Sequence, residues 1–137
     1  MREILFRAKR VDNCEWIKGY LWRSVDYAYI IPETVGVGYD DKTHFLSAYA
    51  IEIDLETLCQ FTGLMDKNGN RIWENDIVKH EISDTIGTVR WYEEDYVGWC
   101  VDDIVIDEQQ ITNEMWGECE VIGNIFDNKH LLDEVDY

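Results

Sequence analysis

Proline is almost absent from this 137-residue chain: Pro32 is the only one, and no serine- or glycine-rich stretch takes its place. Nothing therefore marks a flexible linker, and without internal repeats or low-complexity tracts the chain is expected to be compact throughout. Long apolar runs are missing too. The longest, such as YAYII at 27–31, fall far short of the ~18 to 20 residues a membrane-spanning helix needs. The first ten residues, MREILFRAKR, put charges through their apolar positions and lack the uninterrupted apolar centre of a secretion signal, so a bacterial-type cytoplasmic setting is expected. Cysteines at metal-ligand spacing are also lacking. Cys14, Cys59, Cys100 and Cys119 lie 45, 41 and 19 residues apart, with no C-x-x-C and no histidine at zinc-ligand distance. They read as free, mostly buried thiols, with a scattered site such as Cys100 beside Cys119 as the alternative.

Positive charge is scarce, and unevenly so. The formal charge is −17, of which residues 1–92 contribute −4 (15 acids, 11 bases) and residues 93–137 contribute −13 (14 acids against Lys129). The first 23 residues run the other way, at +3, through Arg2, Arg7, Lys9, Arg10, Lys18 and Arg23. An acidic C-terminal third is unsuited to neutralising phosphates, so nucleic acid is not the expected partner there. A basic protein is, or the basic start of a second copy in a homo-oligomer; the alternative is a solvated surface that only opposes association.

What the chain does have is core material and strand signals. Apolar residues make up 46% of it, including 18 aromatics, enough for a packed interior. EILFRA (3–8) and WIKGYLW (16–22) flank a polar turn as a β-hairpin would, and YAYIIPE (27–33) and AYAIEID (48–54) read as strands. LETLCQFTGL (55–64) reads as strand from its β-branched and aromatic content. DIVKHEI, TIGTVRWYE, GWCVDDIVI and GECEVIGNIF follow at intervals suited to a small antiparallel barrel or sandwich. NKHLLDEV (128–135) is the helix candidate, with Asp127 or Asn128 as N-cap.

Sites of chemistry are weakly indicated. G-V-G at 36–38 lacks the third glycine and the lysine-serine pair of a phosphate loop. D-K-N-G-N (66–70) suggests a calcium loop, but positions six and twelve counted from Asp66 are Arg71 and Ile77, where glycine and glutamate are required. Asn68-Gly69 instead suits the positive-φ pair of a tight hairpin turn, with Asp66 accepting from its amides. Glu74, Asn75 and Asp76 form the next turn, and Asp76 caps backbone amides. His44, His80 and His130 have no partner in a known nucleophile motif, and no serine stands in a G-x-S-x-G setting. No catalytic residue, cofactor or metal is expected. The six tryptophans divide between core or interface anchors and a peptide-binding groove.

The pieces REILFRA (2–8), CEWIKGY (14–20), TLCQFTGLMDKNGNRIWENDIV (57–78), GTVRW (87–91) and EVIGNIF (120–126) together resemble the YopX family of phage and prophage proteins. They keep the family's order over nearly the whole chain. Their fixed points are Thr62, Gly63, Asp66, Asn68, Gly69, Asn75, Asp76, Gly123 and Asn124. Asn75 replaces the usual glycine, a change that suits a left-handed backbone, and Lys129 replaces a proline near the final helix.

The resemblance implies a mainly β protein: an irregular N-terminal array of short strands and hairpins over 1–60, then an SH3-like β-barrel with a short C-terminal helix over 61–137, as one unit. It supplies no catalytic residues. The expected role is a non-enzymatic protein-interaction or regulatory module, with contacts from Glu93, Glu94, Asp95, Asp102, Asp103, Asp107 and Glu108. Alternatives are a DNA-mimicking inhibitor of a host nucleic-acid-binding protein, a nucleic-acid-binding barrel that uses the basic N-terminal segment, and an uncharacterised enzyme.

Overall fold

In the computed structural model, residues 4–33, 50–93, 97–102, 105–106, 109–110 and 113–133 are described. The chain divides into two compact units, Met1–Phe61 and Thr62–Tyr137. It is mainly β, with two principal antiparallel sheets and one short helix.

The first unit is built on strands β1 (Phe6–Lys9), β2 (Trp16–Arg23), β3 (Ala28–Pro32) and β4 (Ile51–Glu52), together with the start of β5 (Cys59–Met65). They lie in the order β4-β3-β2-β1-β5. The register pairs Phe6 with Gly19, Lys9 with Trp16, Trp22 with Tyr29 and Tyr29 with Glu52. Because side chains alternate along a strand, one face of this sheet gathers Ala8, Ala28, Ile30 and Ile53, with Phe6, Ile17, Leu21 and Leu58 packed around them, as the unit's core. The segment 55–64, read from sequence as strand throughout, begins instead as a 3-10 turn at Leu55–Thr57. Asp54 caps it by accepting from the Glu56 amide at 3.0 Å, and the Thr57 hydroxyl accepts from the Lys9 amide at 2.8 Å. An N-cap aspartate followed by a short polar stretch outweighs the β preference of what comes next.

In the second unit the end of β5 turns into β6 (Arg71–Trp73). Strands β7 (Asp76–His80), β8 (Thr85–Tyr92), β9 (Gly98–Asp102) and β12 (Cys119–Asn124) form a sheet in the order β12-β7-β8-β9. β10 (Val105–Ile106) and β11 (Gln109–Gln110) make a separate small hairpin, a 3-10 turn covers Asn113–Glu118, and helix α1 is the single turn His130–Asp133. Ile72, Val78, Val89, Val101, Trp116 and Cys119 form the core, with Leu64, Trp99 and Val121 against it. Among the described pairings β9 does not bond back to β12, so the sheet is open where the resemblance implies a closed barrel. No helix among the described residues is long and apolar enough to cross a membrane.

Candidate binding face

The stretch 62–78 is a hydrogen-bonded staple. Asp66, only 5% exposed, accepts at Oδ1 from the amides of Asn68 and Asn70, both at 2.9 Å, and at Oδ2 from the Val121 amide at 3.0 Å. Burial opposes its charged form, but these amides and the Asn70 side chain outweigh that and hold the carboxyl below its ordinary range. The turn itself differs from the sequence reading. Of the Asn68-Gly69 pair only Gly69 has positive φ, at +81°, and the Gly69 amide donates to the Asp66 carbonyl at 3.0 Å. The loop is therefore a turn closed by a left-handed glycine, with aspartate in its first position, not a two-residue turn with both residues left-handed.

The other fixed points are equally occupied. Buried Thr62 donates its hydroxyl to the Ile72 carbonyl at 2.7 Å and accepts from the Leu64 amide, with Gly63 between them at φ +85°. Asn75 has φ +69°, in the left-handed region, and its carbonyl accepts from the Ile125 amide. Asp76, fully buried, accepts from the Trp73 amide at 2.8 Å. Asn124 accepts from the amides of Phe126 and Asp127, while its own amide donates to Asn128 Oδ1. Asn128 lies so close to Gly123 that a Cβ there would come within 2.6 Å of it. The residues that carry the resemblance close turns and leave no carboxylate oriented toward solvent chemistry.

One polar chain escaped the sequence reading. His80 is completely buried; its Nε2 lies 2.8 Å from Glu118 Oε2, and its Nδ1 lies 2.7 Å from Ser83 Oγ. The Ser83 amide also donates to Nδ1, at 3.2 Å, which makes Nδ1 the acceptor and places the ring proton on Nε2, facing Glu118. Ser83 Oγ is shared with Thr85 Oγ1 at 2.6 Å. A carboxylate–imidazole–hydroxyl series can activate a nucleophile, but here the histidine nitrogen is also spent on the serine's own amide, and the series fastens turn 81–84 to the 3-10 turn. The signal available in sequence was the H-x-x-S spacing; Glu118, 38 residues on, was not foreseeable.

The face of the N-terminal sheet opposite its core is different in kind. Arg7 and Lys9 both lie over the Trp16 ring, with Cζ at 4.8 Å and Nζ at 5.5 Å from its centroid. Arg7 pairs in register with Lys18, and Lys18 shares its side of β2 with Tyr20 and Trp22. Trp22 meets Tyr29 at 5.3 Å between ring centroids, and Tyr29 meets Tyr27 at 6.5 Å. Tyr20, Trp22 and Tyr27 are 47%, 42% and 54% exposed. Cations and exposed aromatics thus alternate along one strand, on the side the fold does not use for its core. Arg10 lies apart, held by Asp12 at 2.7 Å, and Arg2 is outside the described residues.

The YopX protein family model matches residues 5–133 of the chain. The chain belongs to the YopX family. A crystal structure of protein EF1440 from Enterococcus faecalis is similar to it, with a TM-score of 0.54 over 96% of this chain and 99% of that one, at 21% identity; this likeness concerns the fold. No curated protein matches the sequence.

Of the YopX chain's acidic residues singled out by sequence, Glu94, Asp95, Asp103, Asp107 and Glu108 lie outside the residues whose side chains are described. Glu93 accepts from Trp91 Nε1 at 2.7 Å, and Asp102 pairs with Arg90 at 3.3 Å. The tryptophans divide: Trp73 and Trp116 are core, whereas Trp22 and Trp91 are each 42% exposed. Cys59, Cys100 and Cys119 are buried, but Cys14 is exposed with φ +62°, contrary to the reading of it as buried. Burial, reinforced by the carboxylates of Glu118 and Asp66, pushes the Cys119 thiol up to about 11, so it stays protonated. Among the described residues no group of three or more His, Cys, Asp or Glu is placed to hold a metal ion.

Proposed function

We propose that this YopX-family chain is a non-enzymatic binding module, encoded by a phage or prophage and working in the host cytoplasm, that meets a macromolecular partner through the open face of its N-terminal sheet. The observation that carries this reading is the row of half-exposed aromatics, Tyr20, Trp22 and Tyr27, beside Arg7, Lys9 and Lys18. Large aromatic and basic side chains are the residue types that dominate binding energy at interfaces, and here the core lies on the other side of the sheet. A role without catalysis is supported by the way Asp66, Asp76, His80 and Glu118 are committed to closing turns. The charge of −13 on residues 93–137 favours a second reading, a basic protein held by the acidic surface.

One experiment separates the two. A photo-crosslinking amino acid is placed at Tyr20, at Glu93 or at Ile82, an exposed turn position used as control, and expressed in the bacterial host. A discrete adduct from position 20, absent from position 82, is expected. An adduct from position 93 alone assigns the contact to the acids and overturns the sheet-face reading.

A further inference from the structure

We propose that the partner of this sheet face is a single-stranded nucleic acid, gripped by Arg7, Lys9 and Lys18 through its phosphates and by Tyr20, Trp22 and Tyr29 through its bases; this rests on the sheet face being the contact surface. Alternate residues along β2 stand about 7 Å apart, roughly twice the ~3.4 Å rise of a stacked strand in a duplex. That interval suits a strand drawn out so that its bases separate and each meets its own ring. From Trp16 to Trp22 the row is about 20 Å long, room for about three nucleotides. Exposed rings with cations beside them are the two components of sequence-tolerant single-strand binding, because every base offers a π face.

Charge decides between single and double strands. A duplex carries about twice the linear charge of one strand and hides its base faces. A chain of net −17 repels it strongly and offers it only three cations on this face, whereas the positive charge of the chain is concentrated at +3 in residues 1–23, which include β1 and β2. The remaining charge acts through screening: beyond ~8 Å at physiological salt it contributes little. Three phosphate contacts predict a shallow salt dependence, with a slope of log K against log salt of about −2.

The test is fluorescence anisotropy with labelled 12-nucleotide oligo(dT) and oligo(rU) and with a duplex of equal length, using the full chain. Saturable binding to a single strand at about 10 µM or tighter is expected, with the duplex at least tenfold weaker. Lys18→Glu and Trp22→Thr should each weaken binding about tenfold or more. The absence of saturable binding below ~100 µM at low salt, equal binding of the duplex, or indifference to both substitutions overturns the proposal. The crosslinked adduct at position 20 keeps the two inferences separable. A nuclease-sensitive adduct supports both, a nuclease-resistant protein adduct preserves the sheet face but excludes nucleic acid, and no adduct removes both.

Discussion

Asp66→Ala is expected to lower the stability of the chain by about 4 kcal/mol, a drop in Tm of roughly 15 °C, measurable by urea or thermal unfolding. The size follows from what the carboxylate holds. Three backbone amides, those of Asn68, Asn70 and Val121, donate to it in a buried setting. Removing the acceptor leaves donors that water cannot fully reach, and each unsatisfied group costs about 1–3 kcal/mol, less than additively when they share a site. The contact to Val121 reaches across 55 residues and ties the 66–70 turn to β12, so the damage is not confined to the loop. Asp66→Asn keeps an acceptor for Asn68 and Asn70 but turns an NH2 toward the Val121 amide, and should cost about half as much.

The same carboxylate has a pH signature. Its folded pKa lies below the ordinary 3.8, so the stabilisation is fully present above that value and is lost as pH falls through the lower folded pKa. Wild type should therefore lose stability below pH 4 more steeply than Asp66→Asn. Parallel acid limbs in the two proteins would show that the charge of Asp66 contributes nothing.

Gly19→Ala is the second large effect, with an expected loss of about 3 kcal/mol in equilibrium unfolding. A Cβ at position 19 would fall 1.9 Å from the Ile31 carbonyl oxygen, 2.8 Å from its carbon and 2.9 Å from the Glu33 nitrogen. All three atoms are backbone, so no side chain can move aside. The close approach has a local cause: Gly19 is opposite Pro32, which has no N–H, and the Glu33 amide donates instead to the Lys18 carbonyl at 3.1 Å. Alanine would separate β2 from β3 and with them the Trp22–Tyr29 pair. A stability within about 0.5 kcal/mol of wild type would mean that the two strands yield more readily than their hydrogen bonding indicates.

The strands were legible from composition because their alternation is strong: in Trp16–Arg23, Ile17 and Leu21 pack toward the core while Lys18, Tyr20 and Trp22 are exposed. The 3-10 turn at 55–57 was not, since the same residues suit a strand and only the Asp54 cap decides. Asn68-Gly69 fits two turn types, and the choice rests on a φ value that composition does not encode. The family motif was recognisable precisely where it does structural work, at Thr62, Asp66, Asp76 and Asn124. The binding face was hidden for another reason. Arg7, Lys9, Lys18 and the aromatics come from three strands, and only the register of β1 against β2 and of β2 against β3 brings them to one side. Net charge pointed to the acidic third, because a tally along the chain does not distinguish the two faces of a sheet.

The central claim is that the open face of the N-terminal sheet is used for contact and is not needed for folding. The most direct measurement is made on the double variant Tyr20→Thr/Trp22→Thr, in which threonine preserves strand preference: its melting temperature and the crosslink yield from a probe at Tyr27, compared with the same probe in an otherwise wild-type chain. The account predicts a Tm within about 5 °C of wild type and an adduct that disappears. An undiminished adduct in a folded variant, or a variant that fails to fold, would contradict it.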